Sequence, residues 1–390
     1  MWMFKKMKVM IMGMDGYLGW PLSMHLSRRG HEVSGVDNLS RRINVNETGS
    51  WSATPIKTMK ERLVKYEEIT GKELTFYRGD LVEPSFTDLV VKKEMPDCIV
   101  HLGEIPSAPY SMIDVEHCNY TQNNNIIGNN NILFAMKDHV PDCHLLKLGT
   151  MGEYGTPNLD IPEGFFEVEY RGRKDKLPFP RQPGSWYHLA KVHETWNIMF
   201  ANKIWGLRAT DVMQGVVHGV LTDDMKTDDL ITRFDFDEVW GTAINRFCAQ
   251  AVVGHEVTPY GKGGQTRGYL ALRDSMQCFT IAVENPPDET EYRVFNQFDE
   301  TYSVNALAEV VSKVAKDYDL EGTIRNIPNP RLEAETHRYE PDMKHLPGLG
   351  FKPTYKLEEE LRITIPKLIE YKDRIEAKRS KIEPKILWTQ

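Results

Sequence analysis

The sequence predicts an α/β protein: a doubly wound parallel sheet with helices on both faces, followed by a smaller C-terminal α/β domain that binds a substrate. Three observations predict it. Short apolar runs of strand length recur through the first half of the chain. Helix-like stretches separate them, and such alternation is the mark of βαβ units. The first run, Lys8-Val-Met-Ile-Met12, breaks at a glycine turn, Gly13-Met-Asp-Gly16-Tyr-Leu-Gly19, that opens a helix-like stretch ending at Arg29-Gly30.

The remaining elements follow in order. His31–Asp37 reads as a second strand, closing one strand–turn–helix–strand unit of about thirty residues. Leu74–Asp80, Cys98–Leu102 and His144–Leu148 read as further strands, and Asn124–Lys137 as a helix. Residues 40–70, with Trp51 and Pro55, form a long insertion before the third strand. After about residue 220 the pattern loses regularity. Thr222–Asp229 is acidic and polar, which predicts a surface loop, and proline breaks follow at Pro286-Pro287 and Pro328. Residues 1–205 are therefore assigned mainly to a nucleotide-binding domain. Residues 206–390 are assigned mainly to a substrate domain, with some return of chain to the sheet.

Composition excludes several classes. The chain has 390 residues, 41% hydrophobic and 27% charged, with a formal net charge of −8. That fits a globular protein and excludes a collagen, a disordered tail or a disulfide scaffold. An acidic chain is a poor binder of nucleic acid by bulk charge. No apolar run is long enough to cross a bilayer, so no membrane partner is expected. The five cysteines are odd in number and none forms a C-x-x-C pair, which predicts reduced thiols and no metal site. Met1–Met7 lacks the apolar stretch of a signal peptide, so a cytoplasmic protein is expected.

The glycine turn carries the first chemistry. Glycine lets backbone approach a pyrophosphate without a Cβ in the way, and the helix N-terminus then faces the phosphates with free N–H groups and partial positive charge. Asp37 ends the second strand 18 residues past Gly19, where a carboxylate bonds ribose hydroxyls in the dinucleotide-binding Rossmann fold. The candidate cofactor contacts are Gly13, Gly16, Tyr17, Leu18, Gly19, Asp37, Asn38, Leu39, Ser40 and Arg41. Asp80 and Leu81, ending the third strand, are added as an adenine contact, with a helix N-cap the other reading of Asp80. A carboxylate at 37 repels a 2′-phosphate and favours NAD. Arg41 and Arg42 weigh the other way, since arginines hold phosphates well.

Tyr187 and Lys191 are four residues apart and share one face of a helix. A phenol ionises near pH ~10 and is a poor base at neutrality. A lysine one turn away and a positive nicotinamide would lower that value, so that the tyrosine accepts a hydroxyl proton while NAD takes the hydride. Thr150, at the end of a strand, completes the set.

The glycine triplet, Thr150, Tyr187/Lys191 and the segment Pro259-Tyr-Gly-Lys-Gly-Gly-Gln-Thr-Arg267 resemble the extended short-chain dehydrogenases/reductases. Longer stretches are similar to the UDP-sulfoquinovose synthase family in particular: Ser107–Asp114, Lys147–Asn158, Tyr187–His193, Arg208–Asp211, Tyr260–Leu270 and Val294–Phe298. The resemblance implies NAD as cofactor, UDP-glucose and sulfite as substrates, and a homodimer. The implied reaction oxidises C4, loses water across C5–C6, adds sulfite at C6 and returns the hydride to C4. By the same resemblance Tyr187 takes the C4 hydroxyl proton, Lys191 tunes it and holds a ribose, and Thr150 bonds the C4 oxygen. Arg267, Gln265 and Arg331 would bind phosphate or ribose, Thr258 and Tyr260 would flank the uracil, and Gln214 and Val217 would contact the sugar.

Two departures stand out. Related 4,6-dehydratases follow the threonine with an Asp-Glu acid/base pair, but Met151-Gly152 stand here. Glu153 is the nearest candidate acid/base, with a surface or ribose-facing carboxylate its other reading. His188 is a candidate for bonding sulfite or the C6 hydroxyl, with an ordinary helix histidine its other reading, and Met151 a candidate for packing on the sugar. Plant members carry Gln-Arg where Ile105-Pro106 follow Gly103-Glu104, which removes an arginine suited to an anion. The alternatives are a UDP-sugar 4-epimerase or 4,6-dehydratase, or an NAD-binding protein without catalysis.

Overall fold

A computed structural model describes residues 5–331 and 339–387. Seven parallel strands build its main sheet: β1 (Lys8–Met12), β2 (Glu32–Asp37), β3 (Thr75–Arg78), β4 (Cys98–His101), β5 (His144–Thr150), β6 (Ala209–Gln214) and β7 (Tyr292–Gln297). Their spatial order is 3-2-1-4-5-6-7. The order reverses beside β1, where a doubly wound sheet opens its crevice. Val9 to Met12 are buried, as expected of a central strand covered on both faces.

The helix Gly19–Arg29 leaves the glycine turn and ends at Gly30 in the left-handed region, φ 106°. The insertion before β3 holds two helices, Ser40–Glu47 and Met59–Thr70. The second starts on a reciprocal cap between Thr58 and Glu61, which satisfies free N–H groups at that end. The helix expected from Asn124 is a π-turn over Asn123–Ile127 running into an α-helix over Gly128–His139. Ile105 explains the widened turn: its amide donates to the Asn125 side chain at 2.8 Å and its carbonyl accepts from it at 3.3 Å.

Strands β6 and β7, from beyond residue 205, extend the main sheet past β5. A three-stranded sheet of Val216–His218, Thr266–Ala271 and Glu300–Ser303 stands beside it. Helices Ala243–Val252, Val304–Lys316 and Leu357–Glu370 close a second core around Phe247, Leu307 and Leu361. Met276 and Phe279, from the helix Leu272–Glu284, pack instead into the first core with Trp20 and Leu22. The acidic stretch 222–229 is less exposed than expected. Asp224 is buried because His25 and Arg28 hold its carboxylate at 2.9 and 2.5 Å. All five cysteines are free thiols. Among the described residues no helix is long and apolar enough to cross a membrane.

Trp20 ties the halves together. It is fully buried, donates from Nε1 to the Leu230 carbonyl at 2.8 Å, and lies under the Arg62 guanidinium at 4.1 Å. Replacing it by Phe strands a buried carbonyl, which costs about 1–3 kcal/mol. Chemical denaturation of Trp20→Phe should show a loss in that range.

Candidate active site

The carboxyl ends of the strands converge on one cleft of ≈ 390 Å³. Gly13 follows β1, Asp37 ends β2, Asp80 follows β3, Glu104 follows β4, Thr150 ends β5 and Gln214 ends β6; all six line it. The glycine turn has no room for side chains. Gly13 has φ +92°, and a Cβ on Gly19 would fall 2.0 Å from the Gly13 carbonyl oxygen. The helix therefore starts hard against the turn. Leu18, its N-cap, makes no side-chain hydrogen bond to the helix end, and no acid sits in the first turn. Such an end attracts a pyrophosphate.

Asp37 fits ribose hydroxyls. Its two oxygens accept the amides of Asp15 at 2.8 Å and Leu39 at 2.7 Å, and each keeps a further lone pair. Burial, and then the charge of Asp15, push this carboxyl up to about 6. The two arginines are engaged elsewhere. Arg42 grips Asp15 through two bonds of 2.7 Å. Arg41 grips Asp235 at 2.7 Å and stacks on Trp240 at 3.9 Å. The acid facing the cleft thus favours a 2′-hydroxyl over a 2′-phosphate, as NAD requires. Of the other expected cofactor contacts, Gly16, Tyr17, Leu18, Asn38, Ser40, Arg41 and Leu81 line the cleft. Leu39 does not: at φ 64° it offers its amide to Asp37 and packs its side chain into the core. Asp80 is not a helix cap. It accepts from the Asn38 side chain at 2.9 Å and the Val82 amide at 3.0 Å, ahead of a helix beginning at Pro84.

Tyr187, His188 and Thr150 line the same cleft. Ser185 caps the long helix Trp186–Trp205, and the Tyr187 amide donates to Ser111 Oγ at 3.0 Å, so the helix start is pinned. Lys191 lies one turn deeper. Its ammonium donates to the Leu148 carbonyl at 2.5 Å, pairs with Glu104 and stands 3.5 Å from Glu194. Burial pushes the Tyr187 phenol up, with Glu194 and Glu153 adding to the effect and Arg41 opposing it. Without a nicotinamide the phenol is thus no base at neutral pH.

Several expected contacts lie elsewhere. Glu153 is wholly buried behind β5. It meets Lys147 at 3.2 Å, Thr195 Oγ1 at 3.0 Å and Arg181 at 3.9 Å, inside a network with Asp211. It braces the strand and does not reach the cleft. Met151 packs on Tyr154, Phe179 and Met213, not on a sugar. Its neighbour Gly152 explains the lost Asp-Glu pair: a Cβ there would fall 2.4 Å from His188 Nε2. The imidazole occupies the volume a carboxylate would need. His188 Nδ1 lies 2.9 Å from Ser185 Oγ, and burial, then Arg331 and Arg267, hold this histidine down at about 3.

Gln214, Val217 and Arg331 line the cleft; Thr258, Tyr260, Gln265 and Arg267 do not. The Thr258 hydroxyl accepts from Gln250 at 2.7 Å, a bond that fastens the strand-like segment to a helix. Tyr260 lies under Arg246 at 4.6 Å, and Arg267 donates to the Thr266 carbonyl at 2.8 Å. Gln265 is buried with both amide atoms unbonded among the described residues, one residue before the strand Thr266–Ala271, whose sheet neighbour Val216 lines the cleft. Sequence reasoning missed Glu104 and the wall of Arg233, Asp235 and Trp240. Glu104 had a signal, an acid just beyond a parallel strand, like Asp37. Asp235 had none, being 194 residues from the arginine it holds.

The fold and cleft define an NAD-using protein of the Rossmann type. Residues 9–296 match the NAD dependent epimerase/dehydratase family, and the chain belongs to it. Within that family it groups with the UDP-sulfoquinovose synthases. It is 48% identical to UDP-sulfoquinovose synthase, chloroplastic, of Spinacia oleracea, over 98% of this chain and 79% of that one. It is 47% identical to UDP-sulfoquinovose synthase of Sulfolobus acidocaldarius, over 98% of each. Among solved structures, UDP-glucose 4-epimerase of Thermotoga maritima with UDP-glucose matches 97% of this chain and 100% of its own, with TM-score 0.68 at 20% identity. UDP-glucose 4-epimerase of Bifidobacterium longum with NAD+ and UDP matches 96% and 100%, with TM-score 0.69 at 17% identity. These structures share the fold.

Two outcomes follow from this geometry. Gly19→Ala should lose NAD on gel filtration while the wild type retains it, because the helix start must move. NAD binding to Asp37 favours its ionised form, so the bound pKa lies below the free value. Affinity should be level above pH 6 and fall as pH drops through about 6. Calorimetric titration at several pH values checks this, and Asp37→Asn should bind weakly with that pH dependence gone.

Proposed function

We propose that this chain is a UDP-sulfoquinovose synthase, which converts UDP-glucose and sulfite to UDP-sulfoquinovose while NAD is used and regenerated. The observation that carries the reading is the placement of Tyr187, Thr150 and a neutral His188 around one NAD-fitting cleft, with Gly152 making room for the histidine.

The chain's own groups divide the work. Bound NAD supplies a hydride acceptor at sugar C4 and later the hydride donor. Tyr187 takes the proton of the C4 hydroxyl and returns it at the end. Thr150 hydrogen-bonds the C4 oxygen, and its Oγ1, which accepts the Gly152 amide at 3.1 Å, is left with its O–H free to donate. Lys191 lies one turn behind the phenol, its ammonium paired with Glu104. The C4 ketone acidifies C5–H. His188 removes that proton and passes it to the departing C6 hydroxyl, so that water leaves across C5–C6. We assign this step to His188 because Glu153 is sealed behind β5. Bisulfite sulfur then bonds C6, and its proton goes to C5, which balances the overall exchange of hydroxyl for sulfonate with release of water.

The uncharged imidazole contributes an N–H or a lone pair, and Arg331 and Arg267 contribute the positive field felt at that site. They replace the arginine missing at Ile105-Pro106. Arg267 and Gln265, at the start of the strand Thr266–Ala271, are proposed to bind the phosphate or ribose of a UDP-sugar. Apolar Phe134, Trp196, Phe200 and Ile204 are exposed on the helices Gly128–His139 and Trp186–Trp205, and we propose that a second copy covers them as a homodimer. The protein is proposed to act in the cytoplasm.

Mass spectrometry of products tests the reading. UDP-glucose with sulfite should give a sulfonate that is absent without sulfite. UDP-galactose or 4-keto products alone would mark a 4-epimerase or 4,6-dehydratase, and no turnover would mark a binding protein. Tyr187→Phe should lose about a hundredfold to ten-thousandfold of the rate with NAD still bound.

A further inference from the structure

His101, Glu104 and Glu194 are buried together beneath Tyr187, and the reaction above leaves all three unused. Glu104 pairs with the Lys191 ammonium from the loop after β4, and Glu194 approaches it at 3.5 Å from the next turn of the same helix. His101 Nε2 lies 3.6 Å from Glu104 Oε1. Apart from Lys191, neither carboxylate has a hydrogen-bond partner among the described residues, and neither ring nitrogen of His101 has one. Buried acids without hydrogen bonds cost stability and give the fold nothing in return. Such expense is characteristic of functional sites. The acceptor atoms lie within 4.8 Å of one another, a spacing that would suit a metal ion. The Lys191 ammonium already stands among them, so the cluster carries its own cation.

We propose that Glu104 and Glu194 are positioning residues for Lys191: they grip the ammonium between them, offset its charge, and keep the Tyr187 phenol protonated until the oxidised nicotinamide brings positive charge into the cleft. This rests on the proposed function only in taking Tyr187 as the base.

The geometry supports it from each side. Lys191 is absent from the cleft wall while Glu104 is part of it, and both Glu104 carboxylate oxygens are buried, so the ion pair lies sealed behind that wall. The charged and titratable groups around the pair are Glu194 on the same helix, His101 on β4 and Glu104 beyond it, Lys147 on β5, Glu153 in the turn after β5, Asp211 on β6, and Arg41 from the opposite wall. Lys147 is itself bound at 3.2 Å to Glu153 and 3.4 Å to Asp211. Glu104 and Glu194 are therefore the acids that remain to balance Lys191.

The test reads one phenol by its ultraviolet absorbance, as the difference between the protein and its Tyr187→Phe variant, with no sugar or sulfite present. Without NAD, the wild type should show no Tyr187 ionisation below about pH 10. Loaded with oxidised NAD, it should ionise at lower pH. In loaded Glu104→Gln the midpoint should fall by about one further pH unit, and likewise in Glu194→Gln, a variant outside the cleft wall. Glu104→Asp keeps the charge and should stay near the wild-type midpoint. A purely structural role would lower the melting temperature and leave the midpoint in place. Unmoved midpoints in the two Gln variants overturn the proposal, and so does an equal shift in Glu104→Asp. Because no turnover is measured, failure here is separate from failure of the sulfonate assay.

Discussion

The contact between Gly19 and the Gly13 carbonyl is the constraint on which the site depends. It brings the N-terminus of the Gly19–Arg29 helix against the end of β1 with no side chain between. From that contact follow the direction of the helix field, the crevice beside β1, and the position of Asp37 on the adjacent strand. The Gly13 and Met14 amides both donate to the Val36 carbonyl, at 2.7 and 3.1 Å, so the turn is tied to β2 one residue before Asp37. The later half of the chain is anchored to that floor through Trp20 and the Leu230 carbonyl.

Beneath the reactive end lies a second constraint, a buried set of charges. Lys147 on β5 binds Glu153, Thr195 and the Lys191 carbonyl, while Asp211 on β6 accepts from Thr195 and Tyr292. These bonds join β5, β6, β7 and the Tyr187 helix. Ion pairs of this kind return little net stability, since desolvation offsets their attraction. Their value here is placement, for they hold Thr150 and Tyr187 on neighbouring elements with little freedom to shift. Met151-Gly152 belongs to the same logic. The space a side chain at 152 would fill is given to the His188 imidazole.

Much of this was legible in the sequence. The parallel sheet, the glycine turn, Asp37, Thr150 and Tyr187/Lys191 depend on local patterns: strand length, helical spacing and the lack of a Cβ. Glu153 misled because its distance from Thr150 along the chain resembles that of a catalytic acid. Only the burial of Lys147 and Arg181 beside it shows that it faces away. Arg41 and Arg42 were ambiguous for the same reason, since their partners, Asp235 and Asp15, are chosen by packing. Thr258, Tyr260 and Arg267 lie on elements near the cleft, and their side chains are held by contacts with Gln250, Arg246 and Thr266.

The sequence by itself determined the class of fold, the kind of cofactor and the tyrosine–lysine–threonine set, because each rests on spacings within a strand, a turn or a helix. The tertiary structure alone decided which acids face the cleft, what neutralises Lys191, and where His188 finds room. Those depend on burial and on partners from distant segments, and burial governs the charge of a carboxylate or a phenol more strongly than any neighbour in the chain.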